Sequence, residues 1–231
     1  MNIPKNAQGF TLIELLIASA LLSMLLLSAS MAYSLFANNW NKERGNYRET
    51  TNLMRDIGVV RKVINSSYPL IVSNDQGKNA LYWDGKETSL QAASRSSMFL
   101  VGEAVYQIKL ENGEDGKKKL VYQEAAMEKT LLDSYNHSVD FQFKKVLLDD
   151  VMSIKFQYYG WLNSTQKNQR QANLITTDRK WYSSFNAKDK LLFPEKVKVT
   201  ITFNTKQKKG QSITLSAILS TNSEIGLNDG L

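Results

Sequence analysis

The chain has 231 residues, of which 42% are hydrophobic, and its formal net charge is +7. It holds no cysteine, which excludes disulfides and thiolate chemistry, and a single histidine, His137, which excludes a multi-histidine zinc site. A basic balance raises nucleic-acid binding, but the lysines are scattered, and "KKK" at 117–119 and "KQKK" at 206–209 read as solvated hairpin tips.

The first nine residues, "MNIPKNAQG", are polar with one basic side chain, Lys5. From Phe10 to Ala37 the chain then turns apolar for 28 residues, and Glu14 is the single charge in that run. As a helix the run is roughly 42 Å long, enough to cross a bilayer with tilt. It is too long for the apolar core of a secretory signal peptide, and its leader is too short. A buried carboxylate at the helix centre costs about 2.5–3.5 kcal/mol on insertion scales. Glu14 lies near the start of the run and calls for a positive partner, which the helix itself does not supply. A free α-amine at Phe10, exposed by cleavage after Gly9, would serve, either within one chain or between neighbours.

The stretch "GFTLIELLIA", Gly9 to Ala18, resembles the processing site of type IV pilins and of the pseudopilins of type II secretion. The resemblance implies cleavage between Gly9 and Phe10 by a prepilin peptidase and N-methylation of Phe10. It also implies that Glu14 neutralises the Phe10 amine of a neighbouring subunit during assembly. It sets the leader inside and the following domain in the periplasm. Lys42, Arg44 and Arg48 beyond the run oppose that orientation on positive-inside counting.

Past the run the helical period continues. Trp40, Tyr47, Met54 and Arg61 recur every seven residues, and Leu53, Ile57, Val60 and Ile64 recur at four, three and four. One helix is predicted from about Phe10 to Asn65, ended by "NSSYP". From Leu70 the period becomes two. Strands are expected at 70–72, 80–83 and 97–101, and a hairpin over 104–125 turning at "NGEDG". Further strands follow in the alternations Val139–Phe141–Phe143, Ile154–Phe156–Tyr158 and Val197–Val199–Ile201–Phe203. The last is expected to pair antiparallel with Ile213–Leu215–Ala217–Leu219. The segment 163–190 reads as a long polar loop, and "NDQGKN" at 74–79 as a turn.

The C-terminal half resembles minor pseudopilins of the general secretion pathway protein J family. Val151, Ile154 and Phe156, then Trp181, then Pro194, Val197, Val199 and Ile201 follow the order of that family's motifs. Phe193 stands where the family usually has Leu, and the insertion between Trp161 and Trp181 is longer than usual.

No phosphate-binding loop, nucleophile elbow or calcium loop is present. Asp149–Asp150 reads as the lead-in to a strand. No catalytic residue, metal ligand or cofactor is expected, and the chain is not expected to be an enzyme. The expected fold is α+β and pilin-like, a long N-terminal membrane-spanning helix packed on antiparallel β structure. The expected organisation is a prepilin leader (1–9), a transmembrane and assembly half-helix (10–37), a periplasmic amphipathic half-helix (38–65), a β-rich periplasmic domain (66–220) and a mobile tail (221–231).

The resemblance implies a minor pseudopilin in the tip complex of a type II secretion pseudopilus, single-pass in the bacterial inner membrane. Its implied partners are I-, K- and H-like minor subunits, the major pseudopilin and a prepilin peptidase, with no nucleic acid. A minor pilin priming a type IV pilus, or a DNA-uptake pseudopilin, are the alternatives.

Overall fold

The computed structural model describes residues 11–113, 116–130, 132, 134–204 and 210–219, with 41–50 described as backbone alone. The predicted tail 221–231 and the "KQKK" turn therefore lie outside the described residues. The chain divides into two compact units, Met1–Asn52 and Leu53–Leu231.

Helix α1, Leu12–Asn65, covers 54 residues, and its first unit carries the predicted apolar run. Between Leu15 and Ala37 there is no Gly, Pro or charge to break it. The hydroxyls of Ser19, Ser23 and Ser28 donate to carbonyls three or four residues earlier, at 2.8–2.9 Å. Those bonds satisfy polar groups that the bilayer could not.

The second unit begins with the last turns of α1 and continues into β structure. In chain order the elements are β1 (Ile71–Ser73), β2 (Asn79–Leu81), β3 (Trp83–Gly85), β4 (Ser89–Ser94), β5 (Ala104–Asn112) and β6 (Lys118–Ala126). They continue with β7 (Phe143–Leu148), β8 (Val151–Gly160), α2 (Ser164–Gln171), β9 (Lys180–Tyr182), β10 (Phe185–Asn186), α3 (Ala187–Lys190), β11 (Lys196–Phe203) and β12 (Ser212–Ile218). Six strands form one sheet in the order β10-β3-β4-β5-β6-β7, and four form a second in the order β12-β11-β8-β9. A small third sheet pairs β1 with β2, and every strand pair in the three sheets is antiparallel. The architecture is α+β, a long apolar N-terminal helix followed by antiparallel sheets, as the periodicity predicts.

The core joins three layers. Val60, Val63 and Ile64 of α1 meet Tyr106, Ile108 and Tyr122 of the larger sheet and Phe156, Val199 and Ile201 of the smaller one. Of the two helical rows read from the sequence, Leu53, Val60 and Ile64 are buried, while Trp40 and Met54 are exposed. The helix end is tied down by polar contacts. Ser94 Oγ donates to the Val63 carbonyl (2.7 Å), and the Ile218 amide donates to Asn65 Oδ1 (3.1 Å). The β11–β12 pair is antiparallel as expected, with Val199 opposite Leu215 and Ile201 opposite Ile213. Strict alternation of buried and part-exposed positions along β11 explains why it was the clearest strand in the sequence.

Five expectations fail. Residues 97–101 are not a strand. The amides of Met98 and Phe99 donate to the carboxylate of Glu124 (both 2.8 Å) instead of to a neighbouring strand, and Ser97 Oγ and Tyr122 OH (2.6 Å) also donate to it. Glu124 is fully buried, and four donors offset the loss of its hydration. Val139 and Phe141 are not in a strand either. They pack with Val72, Tyr82 and Val105 in a second, smaller apolar cluster, and β7 starts at Phe143. The segment 163–190 is not a plain loop but holds α2, β9, β10 and α3, with Phe185 and Ala187 buried. Lys118 and Lys119 open strand β6 and are not in the turn, and Lys119 pairs with Asp149 at 3.5 Å. The "ALYW" stretch also divides into β2 and β3, because the Tyr82 amide turns to the Leu70 carbonyl (2.8 Å).

The "NDQGKN" turn is as expected. Asn74 Oδ1 accepts from the amides of Gln76 and Lys78, and Gly77 has φ +70°. Asp149 and Asp150 form the short link from β7 to β8, with Asp150 at φ 58°. The Asn204 side chain and amide both donate to Asp150.

Candidate functional site: the exposed apolar helix

The candidate site is the first unit's own surface. Leu12–Trp40 is a 29-residue apolar stretch with mean hydropathy 2.3, and none of it is buried. Leu12, Leu15, Leu21, Met24, Leu35 and Phe36 are each more than 60% exposed. A soluble monomer rarely exposes so large a continuous apolar surface, which calls for lipid or other helices to cover it. Phe36 and Trp40 stack one turn apart (5.9 Å between rings) at the end of this stretch. Aromatic rings at that place suit a membrane–water interface.

Glu14 sits in the first turn. Its Oε2 accepts from the Thr11 amide (3.0 Å) and the Thr11 hydroxyl (2.9 Å), while the Glu14 amide donates to Thr11 Oγ1 (3.3 Å). Thr11 and Glu14 are therefore an N-cap and N3 pair that satisfy two backbone donors reciprocally. The sequence reading singled out Glu14 for a cationic partner and overlooked Thr11. The signal was there, since T-x-x-E before an apolar run is the signature of this cap. The carboxylate is thus useful to its own helix before any neighbour is involved. It also sits at the helix N-terminus, where the backbone dipole favours negative charge. Gly9 and Phe10, the expected cleavage pair, lie outside the described residues.

Among the described residues no three His, Cys, Asp or Glu side chains come together in a way that could hold a metal ion.

Residues 4–30 match the prokaryotic N-terminal methylation motif, the signal of type IV pilins and pseudopilins. No curated protein matches the chain. The matched stretch takes in Gly9, Phe10, Thr11, Glu14 and the first half of the exposed helix. A single apolar helix at this end is consistent with a single-pass membrane anchor. Motif, helix and antiparallel sheets together support a pilin-like protein, and the motif suggests assembly with other pilin-like subunits and a prepilin peptidase.

Proposed function

We propose that the chain is a minor pseudopilin of a type II secretion system, similar to general secretion pathway protein J and acting in the tip complex of the pseudopilus. It is a structural subunit and not an enzyme. Cleavage after Gly9 frees the Phe10 amine, which is then N-methylated. The helix stays in the inner membrane with the β domain in the periplasm until the subunit is drawn into the filament. I-, K- and H-like minor subunits and the major pseudopilin cover its apolar surface.

The observation that carries this reading is the pairing of a methylation-motif helix with the particular order of strands behind it. The three segments that resemble the J family are neighbours in one sheet. Trp181 lies on β9 beside β8, which holds Val151, Ile154 and Phe156. β8 in turn pairs with β11, which holds Val197, Val199 and Ile201. That the segments resembling the family also pack together as one structural unit supports this reading. In the assembled filament Glu14, already capped by Thr11, accepts the neighbour's amine as a further, charged donor.

Deleting the gene and scoring exoprotein secretion and surface pili in one strain tests this. Loss of secretion with normal pili is the expected result. Loss of pili with normal secretion contradicts it and moves the protein to a pilus-priming role.

A further inference from the structure

The four-stranded sheet β12-β11-β8-β9 turns one face to the core and the other to solvent. Its strands contain four lysines and no Asp or Glu. Four outward residues stand in one row across the sheet: Ile218 opposite Lys196, Lys196 opposite Tyr159, and Tyr159 opposite Trp181. Ile218 is 71% exposed and Trp181 39%. The Tyr159 and Trp181 rings lie 5.3 Å apart.

Cations are held over these rings. Lys198 Nζ lies 4.5 Å from the Trp181 ring centre and Lys196 Nζ 5.4 Å from that of Tyr159. Arg179 approaches both Tyr159 and Trp161, at 6.0 and 5.9 Å, and pairs with Glu195 at 3.0 Å. Lys155, further along the face, pairs with Glu87 (3.6 Å). Lys196 and Lys198 form no ion pair among the described residues. Their ammonium groups are positioned by aromatic rings, and their charge is left uncompensated.

A purely solvated sheet face explains the serines and threonines of this surface. It does not explain an exposed Trp and Ile and a half-buried Tyr in register with Lys196, with Lys198 held over the Trp ring. Trp, Tyr and Arg are the residues that most often anchor protein interfaces, and a row of them with one sign of charge sets the sign of the partner. The protein's own cations over these rings compete with bases that would stack there. We propose that this face docks an acidic polypeptide segment of a partner protein. Lys196 and Lys198 receive its carboxylates, and Trp181, Tyr159 and Ile218 cover its apolar side chains. The inference stands on the β domain alone and does not depend on which filament the protein enters.

The test uses the full chain in detergent micelles, with fluorescein-labelled octaglutamate as probe and anisotropy as readout. The double variant K196Q/K198Q is expected to bind about tenfold more weakly, from two charge contacts of modest strength. The double variant K62Q/K118Q, which removes the same charge elsewhere, is expected to bind like the wild type. Trp181→Ala leaves the charge intact but removes the ring that holds Lys198, and it is also expected to weaken binding. Unaltered thermal unfolding would exclude misfolding as the cause in each case. Equal losses in the two double variants would mean diffuse attraction and overturn the proposal. So would unchanged binding by K196Q/K198Q. Tighter binding of octathymidylate than of octaglutamate would overturn it in favour of nucleic acid.

Discussion

In the proposed assembly Glu14 serves a local and an intermolecular purpose at once. The local purpose is the cap, in which Glu14 Oε2 takes two hydrogen bonds from Thr11. The intermolecular purpose needs negative charge. Glu14→Gln separates them, because a Gln at this position still accepts the Thr11 bonds but carries no charge. We expect Glu14→Gln to insert in the membrane and keep its helicity, yet to be incorporated into filaments poorly. Co-purification with the other subunits measures this, and normal incorporation would reduce Glu14 to a capping residue. Glu14→Val is expected to insert at least as well, since it lowers the membrane cost, and to fail at the same step.

At the scale of elements, the close approach of β3 to β8 depends on one small residue. A Cβ at Gly85 would lie 2.5 Å from the Tyr158 ring. That ring cannot easily give way, because it is buried and its hydroxyl donates to the Lys86 carbonyl (2.9 Å). Gly85→Ala is therefore expected to destabilise the β domain by about 1–3 kcal/mol, the usual cost of overpacking, as read by denaturant unfolding. This contact was invisible in the sequence, since the two residues are far apart along the chain. What was legible were the elements whose own periodicity sufficed. The helix end at Asn65, the β5–β6 hairpin and the β11–β12 pairing all follow from local pattern. The failures were segments decided by partners elsewhere in the chain. "SMFLV" is apolar enough for a strand, but Glu124 takes its amides. Lys180–Tyr182 is too short and polar to signal a strand, and it becomes one because β8 offers an edge. The site divides in the same way. Glu14 was conspicuous as a lone charge, whereas Thr11 was one polar residue at the margin of the run.

For the whole molecule, the core is rich in tyrosine, and that gives it a pH limit. Burial pushes the phenols of Tyr106 and Tyr158 above their ordinary range, and burial together with the Glu124 hydrogen bond does the same for Tyr122. A raised folded-state value means that the folded protein holds these protons more tightly than the unfolded chain. Their contribution is thus fully present below the unfolded value of about 10 and declines as pH rises above it. Each such group is expected to lower stability by up to about 1.4 kcal/mol per pH unit in that range. Thermal unfolding of the full chain should show a plateau below pH 10 and a steep fall above it. A flat profile through that range would mean that the phenols reach solvent.

The same scale holds the central claim, that this chain is matured at its N-terminus and assembled through the helix that follows. Neither the cap nor the sheets test it as directly as the covalent state of the N-terminus itself. The decisive measurement is mass spectrometry of the N-terminal peptide of the protein isolated from its own membranes. The account predicts a chain that begins at Phe10 and carries one added methyl group on its α-amine. A chain that begins at Met1, or one cut beyond the apolar run as a secreted protein would be, would contradict it.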